Sequence, residues 1–217
     1  MKILAVSDME SAALWDHYVP GRLDPYDLIL SCGDLKAPYL TFLVTMSHAK
    51  LLYVHGNHDG SYDASPPEGC ENIDGHLVVA DGVRILGLGG SLWYNGGPHQ
   101  YTEREMQRRI DKLRRAIRKA GGADIVISHA PPRGFGDLDD PAHRGFEAFL
   151  GLMDACRPKY LLHGHTHLNY GMKIPRVVRY GETEIVNVMG HCELEWPAPP
   201  DRASELTWIS RRRERRK

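Results

Sequence analysis

Short apolar runs recur along the chain, and most of them are followed by Asp, Asn or His. Their continuous apolar character is typical of strands that are covered on both faces. We predict such strands at 2–7, 27–32, 50–54, 76–80, 83–88, 124–128 and 159–163. Helices are predicted between them, at about 10–19, 38–48, 103–120 and 142–156. This alternation predicts an α/β fold with parallel strands.

The helix at 103–120 has the clearest signals, because Thr102 and Glu105 form a capping-box pattern and Gly121 follows its end. After His167 the pattern changes. Residues 176–180 and 183–188 flank a tight turn and predict an antiparallel hairpin. A last strand is predicted at 206–210. Parallel units followed by hairpin strands are consistent with two sheets packed face to face and flanked by helices.

Composition adds several exclusions. The 217 residues suit a single domain, predicted to span 1–210, and the net charge of −1 predicts neither a nucleic-acid binder nor a membrane-surface protein. The basic segment 211–217 is expected to be a solvated, disordered tail, with at most a weak role in binding nucleic acid.

The expected location is the cytoplasm. The first strand starts at residue 2 and leaves no room for a signal peptide, and no apolar run is long enough to span a bilayer. The four cysteines are scattered without CxxC spacing, which favours reduced, structural thiols. The oligomeric state is not predicted.

The polar residues at the strand ends carry the candidate chemistry. They are Asp8, Asp34, Asn57, His129 and the group His163, His165 and His167. The C-terminal ends of parallel strands meet at one crevice, and carboxylate, amide and imidazole groups are suitable ligands for divalent metals. The pattern therefore predicts a metal centre, and the motifs there read Asp8-Met9-Glu10, Gly33-Asp34, Gly56-Asn57-His58-Asp59, His129 and Gly164-His165-Thr166-His167.

In this order the motifs resemble those of the calcineurin-like metallophosphoesterases, and more narrowly their small phosphodiesterase-like members. The resemblance implies a four-layer α/β/β/α sandwich of two mixed sheets flanked by helices. It also implies two divalent ions. The hard oxygen donors among the candidate ligands favour manganese, with iron, zinc, magnesium or nickel as alternatives. The first ion would be bound by Asp8, position 10, Asp34 and His167, and the second by Asp34, Asn57, His129 and His165.

The resemblance also implies a mechanism, in which a hydroxide that bridges the metals attacks phosphorus. His58 would contact the phosphate and assist the leaving group, and Asp59 would orient His58. We therefore expect a binuclear phosphoesterase acting on small or nucleotide-like phosphodiesters. The alternatives are phosphomonoester or phosphoprotein hydrolysis, or a non-catalytic scaffold that keeps the fold.

Glu10 departs from the family pattern, which usually has His there. Two interpretations remain open: Glu10 binds the first metal through a carboxylate oxygen, or it lies in the first turn of the helix at 10–19 and touches no metal. Ligation would leave the centre with less positive charge, which predicts a preference for singly charged diesters over dianionic monoesters.

Arg133, His143 and Arg144 lie in the loop after His129 and are candidates for contact with the substrate phosphate. Ordinary surface positions are equally consistent with these residues. Tyr94 is a candidate for the pocket lining, and Asn187 is a candidate for supporting the metal ligands.

Overall fold

The computed structural model describes residues 1–168 and 174–197. In chain order its strands are β1 (Lys2–Ser7), β2 (Leu28–Ser31), β3 (Lys50–Tyr53), β4 (Glu71–Asn72), β5 (Leu77–Ala80), β6 (Val83–Leu88), β7 (Ser91–Leu92), β8 (Gln100–Tyr101), β9 (Ile125–Ser128), β10 (Tyr160–His163), β11 (Val177–Tyr180), β12 (Thr183–Asn187) and β13 (Gly190–Glu195). Its helices are α1 (Ala37–Thr45), α2 (Glu103–Ala120) and α3 (Ala148–Cys156), with a short 3-10 helix at Asp59–Asp63.

Two mixed sheets contain most of these strands. The first has the order β13-β1-β2-β3-β4 and the second the order β11-β12-β10-β9-β6-β5. The seven predicted strands and the predicted hairpin are all present, although several are a residue or two shorter than predicted. The predicted strand at 206–210 and the predicted tail at 211–217 lie outside the described residues.

The layers follow from three apolar clusters. Side chains of both sheets, such as Ile3, Leu30, Ile127 and Leu162, are buried against one another in one cluster. The other face of the first sheet is covered by α1 and the segment 11–26, and the other face of the second sheet by α2 and α3. The predicted α/β/β/α sandwich is therefore confirmed.

The predicted helix at 10–19 is wrong, because the structure has only consecutive turns over residues 12–17. The segment is short, has no capping pair and is followed by Pro20 and Gly21, so little offsets the cost of nucleating a helix. It is held instead by packing: Leu14 is buried, and the Trp15 ring lies 5.0 Å from the Phe42 ring, edge to face.

The predicted helix at 142–156 is too long, because α3 begins only at Ala148. Its predicted first turns are replaced by a strand-like bridge, in which the Phe146 amide donates to Pro131 O at 3.1 Å and the Arg133 amide donates to Phe146 O at 3.0 Å. Gly145 permits this approach, since a Cβ there would lie 2.5 Å from Pro131 O.

Parallel pairing of the strands brings the predicted ligands to one edge of the sheets. β1, β2 and β3 are mutually parallel in the first sheet, and β9 and β10 are parallel in the second. The loops that follow these strands carry the predicted ligands, so the ligands meet where the two sheets come together. None of the helices among the described residues is long and apolar enough to cross a membrane.

Candidate metal centre

Residues that follow β2, β3, β9 and β10 converge on one point. Asp34, His129 and His165 each present one ligand atom, and these atoms lie within 4.8 Å of one another. His129 Nε2 lies 3.2 Å from a carboxylate oxygen of Asp34 and 3.0 Å from the side-chain oxygen of Asn57. These four residues are the ones that the resemblance assigns to the second metal position.

Backbone carbonyls orient the two imidazoles of this group. His129 Nδ1 lies 2.8 Å from Cys32 O, and His165 Nε2 lies 2.7 Å from Ala142 O. A ring nitrogen that donates to a carbonyl carries the proton, so the opposite nitrogen is left to bind a metal. These carbonyls come from loops, where no side-chain pattern in the sequence marks them.

Asp8 and His167, which the resemblance assigns to the first metal position, lie beside this group. His167 Nε2 lies 3.7 Å from Asp8 Oδ1, which also accepts the His165 amide at 2.9 Å. The other oxygen, Asp8 Oδ2, is buried and has no hydrogen-bond partner among the described residues. Burial raises the pKa of this carboxyl. A buried oxygen without a partner is costly, and a cation would satisfy it.

Backbone strain accompanies this arrangement. Asp8, Asp34 and His165 have φ values of 61°, 56° and 66°, in the left-handed region that non-glycine residues rarely adopt. Each residue in this conformation destabilises the folded state by about 1–3 kcal/mol, and such residues cluster at functional sites. Gly56 and Gly164 provide the space, since a Cβ on either would collide with the Asp34 or Asp8 carboxylate.

Electrostatic coupling links Asp34 and His129. Burial of Asp34 raises its pKa, but the His129 imidazole outweighs this effect, so the pKa lies below its usual range. Burial of His129 lowers its pKa, but the Asp34 carboxylate outweighs this and raises the pKa to about 9. The centre thus holds concentrated negative charge that attracts a positive partner, which a metal ion provides when it displaces the proton.

His58 lies at the mouth of the site. Its backbone amide donates to Asp34 Oδ1 at 2.8 Å, and its ring Nε2 lies 4.0 Å from Asp34 Oδ2. The His58 side chain is 75% exposed. The backbone is therefore fixed to the ligand set while the ring remains accessible to a substrate.

Asp59 has a different position from the one that its predicted role requires. Its Oδ2 accepts the backbone amides of Asp34 and Gly56, at 2.8 and 2.7 Å, and it makes no hydrogen bond to the His58 ring. Asp59 is 3% exposed, and burial raises its pKa. Its contacts hold two ligand-bearing loops together rather than orienting His58.

Glu10 lies apart from the cluster. Its Oε1 is 3.6 Å from Lys36 Nζ, and its side chain is 31% exposed. Because no helix forms at residues 12–17, the interpretation that placed Glu10 in a helical first turn is wrong. Ligation by Glu10 stays a prediction that requires its carboxylate to leave Lys36.

A cleft of about 210 Å³ opens onto the cluster. It is lined by Asp8, Asp34, Asn57, His58, Tyr94, Ala142, His143, His165 and His167. The Tyr94 hydroxyl accepts a hydrogen bond from Asn57 Nδ2 at 3.2 Å, which directs the other side-chain atom of Asn57, Oδ1, toward His129. The candidate Tyr94 is therefore part of the lining.

The three candidates for phosphate contact differ in position. His143 lines the cleft, and its Nδ1 lies 2.9 Å from Asp140 Oδ1. The Arg133 guanidinium is instead paired with Asp137 and Asp139 at 2.7 and 3.0 Å. Arg144 Nη2 donates to Asp139 O at 3.1 Å. The structure therefore places only His143 of these three in the cleft.

Two further polar residues support the site or lie behind it. Asn187, the last residue of β12, donates from Nδ2 to Thr166 O at 2.6 Å, which fixes the turn between His165 and His167. His163 is buried, and burial lowers its pKa to about 4, so it is a neutral core residue.

A second group, His55, Asp63 and His99, also brings three ligand atoms within 4.8 Å of one another. The two imidazoles are stacked, with centroids 4.3 Å apart and planes inclined by 14°. A metal lies close to the plane of each imidazole that binds it, and no nearby point lies in both of these planes. This group therefore packs as a stack and is not a preformed cation site.

Comparisons with known proteins agree with this geometry. The family model of the calcineurin-like phosphoesterases matches residues 1–169. The lariat debranching enzyme of Caenorhabditis briggsae is 27% identical in an alignment of 187 positions, which covers 66% of this chain but only 34% of that protein. The chain thus matches about one third of that relative's length. The UPF0046 protein K07C11.7 of Caenorhabditis elegans is 23% identical over 209 residues, covering 86% of this chain and 69% of that protein.

Solved structures share the fold at low identity. One crystal structure aligns with a TM-score of 0.64 and 15% identity, covering 89% of this chain and 94% of its own. The protein TT1561 of Thermus thermophilus aligns with a TM-score of 0.59 and 17% identity, covering 87% and 88%. Because the family model extends over most of the chain and its motif residues converge in the structure, this protein belongs to the calcineurin-like phosphoesterase family.

Proposed function

We propose that the chain is a binuclear metal-dependent phosphodiesterase that hydrolyses small or nucleotide-like phosphate diesters. The observation that carries the proposal is the convergence of Asp34, His129 and His165 within 4.8 Å, with Asn57 in contact, beside the unpartnered Asp8 Oδ2. Two adjacent ligand sets that share one carboxylate are the arrangement expected for a pair of divalent ions.

The chain provides ligands for both positions. Asn57, His129 and His165 would hold one ion, Asp8 and His167 the other, and Asp34 would bridge them. When bound, the ions would supply Lewis acidity toward the phosphoryl oxygens and an activated water near neutral pH. The share of oxygen donors favours manganese, since carboxylates suit hard cations.

His58 is the residue best placed to assist the leaving group. Its ring is exposed at the mouth of the cleft, and its amide is tied to Asp34. An imidazole in this position could donate a hydrogen bond or a proton to the departing oxygen, which contributes about 10²–10⁴-fold to a typical rate. His143 faces the same cleft and is the candidate for a phosphate contact.

The preference for diesters rests on charge. If Glu10 joins the centre, three carboxylates, two divalent ions and one hydroxide sum to a neutral unit. A dianionic monoester then gains less from binding than it would at a positive centre, whereas a singly charged diester is less affected.

Hydrolysis of bis-p-nitrophenyl phosphate and p-nitrophenyl phosphate with added Mn²⁺ tests the proposal. We expect a higher kcat/KM on the diester and a loss of about 10²–10⁴-fold in kcat for His58→Ala. His48→Ala is the matched control, because His48 is exposed and is not one of the proposed ligands. A higher kcat/KM on the monoester would reject the diester preference. A protein that binds Mn²⁺ but hydrolyses neither ester would favour the non-catalytic scaffold.

A further inference from the structure

One face of α2 carries an uninterrupted row of positive charge. Arg104, Arg108, Lys112, Arg115 and Lys119, which we call the basic stripe, are all exposed. Their spacing of four, four, three and four residues keeps them within a narrow arc of the helix surface. At about 1.5 Å per residue, the row is about 22 Å long.

None of these five side chains belongs to an ion pair in the part of the chain that the structure describes. Within the described residues, the ion pairs of α2 are Arg109–Asp74 and Arg114–Asp111, neither of which includes a member of the basic stripe. Three acidic residues are adjacent in sequence to members of the stripe, and each has another partner: Glu103 accepts the Ala148 amide, Glu105 accepts the Thr102 amide, and Asp111 pairs with Arg114. The stripe therefore presents its charge to solvent.

The opposite face of α2 is buried in the protein. Met106, Ile110 and Leu113 are buried against the second sheet and α3. A membrane-surface helix needs an apolar face free to enter the lipid, and α2 has none to offer. The stripe also contains no aromatic or aliphatic anchor, which a protein interface normally has at its centre.

A polymer with regularly spaced negative charge fits these constraints. We propose that the basic stripe binds the phosphate backbone of a nucleic-acid strand and contacts no bases. Successive members rise by about 6 Å along the helix axis, which gives a linear series of contacts. Such binding needs only Lys and Arg and is independent of sequence.

The net charge of −1 does not reveal this surface, because acidic residues elsewhere in the chain balance the positive charge of α2. The expectation that nucleic acid would not be a partner rested on that total. Local charge on one helix face, rather than the total, determines whether a polyanion can dock. The proposal goes beyond hydrolysis and does not depend on it.

The proposal is tested on the full chain by measuring how tightly it binds a labelled oligouridine of about 20 nucleotides. Binding is measured by fluorescence anisotropy, in EDTA and across a series of salt concentrations. The stripe variant is Arg108→Ala/Arg115→Ala. The matched control is Arg114→Ala/Arg118→Ala, which removes two arginines from the same helix outside the stripe. Alanine favours helix, so both variants keep α2, which circular dichroism verifies.

For the stripe variant we expect a weaker affinity and a plot of log K against log salt that is less steep by about 1.4, or about 0.7 per lost phosphate contact. The control should retain the wild-type slope. Asp34→Asn should bind like wild type, which separates this test from hydrolysis. A labelled duplex that shows the same dependence on the stripe would also support the proposal and identify the preferred form of nucleic acid.

Three results would overturn the proposal. Equal weakening of both double variants would indicate a general charge effect, and unchanged binding by both would assign binding to another part of the chain, such as 211–217. The third is tighter binding to anionic vesicles or to polyglutamate than to the oligonucleotide.

Discussion

The carboxylate of Asp59 accepts the backbone amide of Asp34 at 2.8 Å, and through this bond it connects the loop after β3 to the loop after β2. Asp59 also accepts the Gly56 amide at 2.7 Å, so one buried side chain holds the turns that carry Asp34 and Asn57. A charged acceptor that satisfies two amides is stronger than a neutral one. This contact sets the spacing between two proposed ligands.

Asp59→Asn is therefore expected to weaken metal binding and activity together, by about 10–100-fold, because it disturbs the position of the ligands. If Asp59 acts on the loops, its effect on metal affinity adds to that of His58→Ala in the double variant. Metal titration of wild type, both single variants and the double variant measures this. An Asp59→Asn effect confined to kcat, and absent in the His58→Ala background, would show that Asp59 acts by orienting His58.

Tyr94→Phe tests the contact with Asn57. Without the hydroxyl at 3.2 Å, the amide of Asn57 loses the partner that fixes which of its two ends faces His129. We expect about a 10-fold loss of metal affinity with unchanged thermal stability. Tyr18→Phe is the control, because the Tyr18 hydroxyl only approaches Met46 O, at 3.4 Å. Equal metal affinities for the two variants would contradict the assigned role.

Glu10→His introduces the residue that the family pattern usually has. The change adds one positive unit relative to Glu10, and a unit charge about 4 Å away is worth about 1 kcal/mol even in water. We expect the ratio of monoester to diester kcat/KM to rise by about 5-fold, measured on the two nitrophenyl esters. Lys36→Ala should not raise the ratio, because it releases the Glu10 carboxylate, which lies 3.6 Å from Lys36 Nζ, to join the centre. An unchanged ratio in Glu10→His would show that position 10 does not influence the centre.

The Arg84–Asp124 pair predicts a pH dependence of stability away from the site. Arg84 Nε donates to Asp124 Oδ2 at 2.8 Å, and the Arg84 backbone amide donates to the same oxygen at 2.8 Å. Burial raises the pKa of Asp124, but Arg84 outweighs this and holds it below 3.8. The ionised carboxylate therefore stabilises the fold above the unfolded-state pKa, and this contribution is lost as the pH falls through the lower folded-state pKa.

Asp124→Asn should accordingly lower the free energy of unfolding by about 1–2 kcal/mol at neutral pH, a value reduced by partial solvent exposure. The difference between wild type and variant should shrink as the pH falls below 3.8. Urea unfolding at about pH 7 and about pH 3 measures both. A difference that stays constant with pH would contradict the ionic origin of the stabilisation.

The sequence predicted those elements whose apolar runs were continuous. β1, β2, β9 and β10 are buried on both faces, so their residues stand out as short apolar blocks. β13 was missed because it is an edge strand whose exposed positions, His191, Glu193 and Glu195, interrupt the pattern. The turns at 12–17 were mistaken for a helix because tertiary packing decided their conformation.

The same distinction applies to the site. Asp34, Asn57, His129 and His165 could be proposed as ligands because each lies one to four residues after the end of a strand. The carbonyls of Cys32 and Ala142, which orient the imidazoles, could not, since backbone groups leave no residue signature. Nor could the sequence assign Asp59 to the Asp34 amide, because that contact depends on how two loops approach each other.

Metal binding by wild type and Asp34→Asn, measured by titration with Mn²⁺ and followed by elemental analysis, tests the central claim most directly. Asp16→Asn, at an exposed position, is the matched control. We expect wild type and Asp16→Asn to retain bound metal, and Asp34→Asn to lose it together with diester hydrolysis. If Asp34→Asn binds as much metal as wild type and hydrolyses the diester as fast, Asp34 does not bridge a metal centre and this account of the site is wrong.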